Sequence, residues 1–158
     1  MANQINTKDI TLGTFNITLA SLANASARQS DTINNSTNDY PAALVYTTIC
    51  SGAAAPTAGN IYEVYLIRGN AAPASQTHMT DNAGTGDAAI TIENAPMLGA
   101  VVVTATANKK FYGEFDTAAL GPLGPQWGIA IKNNSGGTIN PTAGSTLCTY
   151  VQYVPEIQ

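Results

Sequence analysis

The chain has 158 residues, enough for one domain with a sizeable core, yet only 10% of them are charged, against about 25% in an average soluble protein. Its surface must therefore be kept in water by Thr, Asn, Ser, Gln and Gly, a composition with few long charged side chains to immobilise against a neighbour. Six basic against ten acidic residues, a net charge of −4 and a pI near 4.6 leave no Lys or Arg run to neutralise phosphates, and no apolar run nears the roughly 20 residues of a membrane-spanning helix, so neither nucleic acid nor membrane is an expected partner.

Residues 1–13 are polar with scattered Ile5, Ile10 and Leu12, too thin a pattern for a core strand. An N-terminal arm is expected there, its isolated aliphatics available for a neighbour to bury, ahead of a single β-sandwich domain over residues 14–158. Removing residues 1–12 is expected to leave the fold intact. The same stretch lacks the apolar core of a secretory signal, so the chain is expected to be made and kept soluble, and its Asn-X-Ser/Thr sequons carry no weight.

From residue 14 the pattern changes. Phe15, Ile17 and Leu19 alternate with Thr14, Asn16 and Thr18, which predicts a half-buried strand over 14–20. Residues 28–33 suggest an edge-like strand, and 34–39 a loop. Pro41 opens a near-continuous apolar run over 42–50, suited to a strand covered on both faces. Residues 61–68 carry bulk on both sides, as a central strand does.

Residues 69–86 form the longest stretch without strand pattern, the first candidate contact region, and it contains the lone His78. Strands follow over 88–92 and 98–106, broken at 94–96. A tight turn at Asn108 leads into 110–116, and these last two segments suggest a hairpin. The cleanest strand is 126–132, with Trp127, Ile129 and Ile131 inward and Gln126, Gly128, Ala130 and Lys132 outward, so Trp127 should anchor the core. A turn cluster with Gly136 and Gly137 precedes the last strand, 146–154. Eight strands at this spacing, not counting the edge-like segment 28–33, predict an all-β fold, a two-sheet antiparallel β-sandwich of jelly-roll type.

Little here suggests catalysis, and no enzyme activity or cofactor is expected. His78 has no nucleophile motif near it. Residues 81–87, Asp-Asn-Ala-Gly-Thr-Gly-Asp, share features with a calcium loop, but the third position is Ala83 and the twelfth Ile92, so a polar turn and a structural calcium site both stay open. Glu63, Glu114 and Asp116 fall on strands, where pairing with Arg68 or Lys110 across a sheet is simpler than a glycosidase cleft. Tyr40, Tyr62, Tyr112 and Tyr150 lie opposite the better apolar faces and could be exposed contact residues or sheet-face packing. Cys50 and Cys148 are expected as two buried reduced thiols. The candidate partner contacts are thus Ile5, Ile10, Leu12, Tyr40 and His78.

Four segments carry a resemblance to known proteins: Ile-Thr-Leu-Ala-Ser-Leu-Ala at 17–23, Ala-Arg-Gln-Ser at 27–30, Asp-Ala-Ala-Ile-Thr-Ile at 87–92 and Gln-Trp-Gly-Ile-Ala-Ile-Lys-Asn at 126–133. Over residues 14–154 the chain resembles small structural proteins of tailed bacteriophages, of the jelly-roll capsid decoration or cement type. The resemblance implies a virion protein made in the host cytoplasm, with the major capsid protein as its partner and a small homo-oligomer, such as a trimer, as its form. It carries over no functional residue. A tail or fibre-associated module binding a glycan receptor is the alternative.

Overall fold

Ten strands make up the fold in a computed structural model that describes residues 5–72, 78–142 and 144–157. They are β1 (Ile5–Thr14), β2 (Ala27–Gln29), β3 (Ile33–Asn34), β4 (Ala42–Cys50), β5 (Ile61–Gly69), β6 (Ala88–Ala89), β7 (Met97–Val102), β8 (Lys110–Asp116), β9 (Gln126–Asn134) and β10 (Leu147–Ile157). Two antiparallel sheets result, one ordered β1-β10-β4-β8 and the other β6-β2-β9-β5-β7, with β3 also on β9. The pairs β5 with β7, β4 with β8, β2 and β3 with β9, and β1 with β10 are nested like one long hairpin. Folding that hairpin over once more sets β10 beside β4 and β9 beside β5, which is the jelly roll. The expected antiparallel sandwich is therefore what the chain forms. No helix among the described residues is long and apolar enough to cross a membrane.

The core lies between the sheets. Trp127 is fully buried on β9, its ring edge-on to Phe15 and to Tyr150 at 5.3 Å each, while Phe15 and Tyr150 stand 4.8 Å apart. Val45 and Ile49 of β4 meet Val64 and Leu66 of β5 in the same cluster. Segments 42–50 and 110–116 are strands with the expected bounds, but 42–50, expected to be covered on both faces, buries Val45, Thr47 and Ile49 against the core and leaves Leu44, Tyr46 and Thr48 only half-buried on the outer face.

Five further expectations change. The alternation at 14–20 survives as burial of Phe15 and Leu19, but the segment is not a strand. After the Phe15 amide bonds to the Cys148 carbonyl, the Asn16 and Thr18 amides donate to the carboxylates of Asp31 and Asp87. An extended connection crossing between sheets alternates its faces just as a strand does, so the pattern could not tell the two apart.

The hairpin expected of 98–106 and 110–116 does not exist, because β7 and β8 lie in opposite sheets. They face each other instead: the Phe115 ring lies against Gly99, where a Cβ would overlap it. A strand over 88–92 reduces to the two residues of β6. The second face of β9 is also not open to water, since Ala130 is buried in a satellite cluster with Ile67, Met79 and Ala83, backed by Ile90 and Ile92. Residues 78–92 fold back over this sheet and cover it.

The N-terminal stretch expected to be an arm is, from Ile5 onward, the edge strand β1, while residues 1–4 lie outside the described residues. Gly13 leaves room for the Tyr150 ring, and Thr11 shares a hydrogen bond of 2.8 Å with the Tyr40 hydroxyl. Loss of residues 1–12 therefore strips pairing from β10 rather than removing a free tail. Pairing with β4 ends at Tyr153, and the pairs from Lys8 with Val154 to Ile5 with Ile157 continue beyond it as a two-stranded ribbon.

Candidate functional site

The long connection from β5 to β7 is tied down at several points. Its residues 73–77 lie outside the described residues. Asn70 and His78 bond to each other twice, amide to carbonyl at 3.2 Å and amide to side chain at 3.1 Å. The Thr80 hydroxyl donates to the Arg68 carbonyl and accepts from the Arg68 amide. Gln29 holds the far end: its side-chain amide donates to the Gly84 and Gly86 carbonyls at 2.9 and 2.8 Å and accepts from the Gly84 amide at 3.1 Å. The candidate contact region is thus largely a cover for the larger sheet. Between its two halves an open cleft of about 660 Å³ is lined by Arg68, His78, Asp81, Asn82, Glu93 and Asn94, with His78 exposed at its side.

Two of the acidic groups of this region, Asp81 and Asp87, are engaged in the fold. Both Asp81 oxygens accept backbone amides, from Asn94 at 2.6 Å and Ala95 at 3.0 Å, and Asp87 pairs with Arg28. Among the described residues no cluster of three or more His, Cys, Asp or Glu could hold a metal ion. Asp81 thus holds the 94–95 backbone through both of its oxygens, as a polar turn does. The strand carboxylates do not pair with Arg68 or Lys110 either: Glu63 accepts from the Tyr65 hydroxyl at 2.7 Å, and Asp116 accepts from the Tyr153 hydroxyl and the Ala118 amide. Arg68 instead donates to the carbonyls of Leu120 and Gly121.

Asp87 should leave a signature in acid. Burial raises its carboxyl pKa, but the bonds from Arg28 and Thr18 outweigh that and hold it below the ordinary 3.8. A depressed carboxylate contributes stability above its unfolded-state value and loses it as pH falls through the folded-state value. The melting temperature is therefore expected to fall as pH drops from about 5 toward 2, and Asp87→Asn should start lower at neutral pH and fall less steeply over that window. Neighbouring Asp31 has the opposite sign, because burial raises it, so the variant comparison isolates Asp87. Equal acid slopes in the two proteins would remove Asp87 from the account.

Of the four tyrosines weighed as exposed, only Tyr112 is, at 71%. Tyr40, Tyr62 and Tyr150 are buried, and Tyr40 is a structural residue: its backbone amide and carbonyl bond to the buried Asn35 side chain and its hydroxyl to Thr11. Asn35 also receives the Gln152 side-chain amide across the sandwich. The two cysteines are free and buried, and burial pushes the Cys148 thiol up to about 12.

The surface left open is the outer face of the four-stranded sheet. Register aligns Leu12, Val151, Leu44 and Asp116 across β1, β10, β4 and β8; the next row is Thr14, Thr149, Tyr46 and Glu114, and the third Leu147, Thr48 and Tyr112. Leu12 is 75% and Leu147 53% exposed, and among these three rows the carboxylates, Glu114 and Asp116, lie along the β8 side. Leu12 was legible as a contact candidate from sequence. Leu147, Val151, Leu44 and Tyr46 were not, because both faces of β4 and β10 carry bulky residues and only packing decides which is buried. Ile10 sits apart, at the bulge between Lys8 and Thr11, in a shallow groove with Asn38, Tyr40 and Val154; Ile5 enters through its backbone, opposite Ile157.

Fold and surface together define a jelly-roll sandwich with one covered and one bare sheet face. No protein-family model, curated protein or solved structure matches the chain.

Proposed function

We propose that this chain is a non-enzymatic structural protein of a tailed-bacteriophage virion, which decorates and stabilises the capsid shell by binding the major capsid protein. The observation that carries the reading is the bare outer face of the four-stranded sheet, with Leu12, Leu44, Tyr46, Tyr112, Leu147 and Val151 set among threonines. These side chains are short or rigid and sit on paired strands, so little conformational entropy is lost when they are covered. A protein that binds the mature shell better than its precursor shifts the shell toward that state by mass action, without any chemistry.

Copy number per purified virion, measured by quantitative mass spectrometry against the major capsid protein, tests this first. A number comparable to the capsid protein is expected. A few copies per particle would place the chain in the tail, and its absence would end the virion reading. Within a virion the face is tested by Leu12→Asp, which should cut shell occupancy at limiting concentration at least about tenfold while leaving the melting temperature unchanged, since the residue is exposed and an unpaired charge resists burial. Unchanged occupancy would release that face from the contact.

The polar cleft beside His78 favours a second reading, a tail or fibre-associated module that binds a glycan. Selective glycan-array binding that disappears with His78→Ala would favour it over decoration.

A further inference from the structure

A sheet edge is a row of unpaired N–H and C=O groups, and sandwiches shield such edges with charges, bulges or brevity. Among the described residues the two sheets end in β1, β8, β6 and β7, and the two-residue β3, paired only with β9, ends a short row of its own. β1 has a bulge between Lys8 and Thr11. β8 carries Lys110, Glu114 and Asp116, and β6 is two residues long. β7 has none of these over Gly99 to Val102: its one irregularity is at Leu98, and residues 94–108 contain no charged side chain.

The backbone there is set for pairing. The Val103 amide donates to the Asn60 carbonyl and the Val103 carbonyl accepts from the Gly59 amide, so Val103 faces β5. Alternation then turns the N–H and C=O groups of Ala100 and Val102 away from the sheet. Both residues are exposed, Val102 to 64%.

We propose that β7 pairs with the β7 of a second copy of this chain, antiparallel about a two-fold axis at Val101, joining the two larger sheets into one. Ala100 then lies opposite Val102 of the other copy, and the two such pairs exchange about four backbone hydrogen bonds. The larger Val102 side chain meets the smaller Ala100 on the outer face. Charge selects this direction. The uncharged stretch is entered from exposed Glu93 and left through exposed Lys109 and Lys110, so antiparallel pairing turns each acidic end toward a basic one, where parallel pairing would set like against like. The contact lies away from the outer face of the four-stranded sheet and does not depend on the virion reading.

Sedimentation velocity and native mass spectrometry on the full chain over a concentration series test the proposal. A monomer–dimer equilibrium is expected, with Val102→Lys raising the dissociation constant at least about tenfold at unchanged melting temperature, because it sets a charge on each side of the axis. Should that variant fold poorly, Ala100→Lys makes the same test at the opposing position. Amide exchange adds a readout specific to the edge: the Ala100 and Val102 amides should slow with protein concentration, while those of Val101 and Val103 are slow throughout. A chain monomeric at every concentration, or a dimer indifferent to both lysine variants, would overturn the proposal. Slowing of the Ala100 and Val102 amides only when capsid shells are added would also overturn it, by giving the edge to a foreign strand.

Discussion

Trp127→Ala is expected to cost about 3–5 kcal/mol, the range for emptying a large aromatic site in a packed core. Total stabilities of about 5–15 kcal/mol make that a large fraction of what holds the domain together. The residue is fully buried at the centre of β9 and its ring meets two others edge-on, so its removal takes away apolar burial and both ring contacts while Phe15 and Tyr150 stay on separate chain segments that cannot close the void. Urea unfolding followed by far-UV circular dichroism is the appropriate measurement, because this is the sole tryptophan and its loss removes the fluorescence probe. Tyr112→Ala, at an exposed position on β8, should stay within about 0.5 kcal/mol and serves as the control. Trp127→Phe should be the milder core change. It keeps an aromatic ring and removes an indole N–H that is buried without an acceptor among the described residues. Equal losses for Trp127→Ala and Tyr112→Ala would show that the core is organised elsewhere.

Asn35→Ala is expected to be nearly as damaging, at about 3 kcal/mol or more, although it deletes only an amide. Its Nδ2 donates to the carbonyls of Tyr40 and Gly124, each at 2.9 Å, and its Oδ1 accepts from the Tyr40 amide at 3.1 Å and the Gln152 Nε2 at 3.0 Å. Asn35 and Gln152 are both buried, so the lost partners cannot all be replaced by water. The side chain joins the loop before β4, the loop before β9 and strand β10, three segments far apart in sequence. A double-mutant cycle with Gln152→Ala should give a coupling of about 1 kcal/mol or more, since each change removes the other's partner. Additive losses would mean that the two residues act separately.

The resemblance and the structure meet at one point only, the jelly-roll sandwich. The contact candidates divide accordingly. Leu12 and Ile10 were legible because an exposed aliphatic in a polar segment is conspicuous without knowing what lies beside it, and both are exposed. Tyr40 was not legible, since its burial depends on Asn35 and Thr11, neither of which its own surroundings reveal.

What the sequence determined by itself is the set of properties that a residue's immediate neighbours decide. Alternation at 110–116 and 126–132 specified strands because the pleat sends successive side chains to opposite faces, the apolar run at 42–50 specified a third, and Trp127 in the 126–132 pattern marked a core position. Only the tertiary structure decided which strands pair, which face of each is covered and where an edge is left open. The chain placed β7 and β8 in opposite sheets although they are consecutive and only residues 103–109 lie between them, paired β1 with β10 from the two ends of the described chain, and used residues 78–92 to cover one sheet while leaving the other bare. Hydrophobic pattern is a local property of the backbone, whereas partner choice depends on how segments many residues apart together bury the most apolar surface with their backbone groups paired.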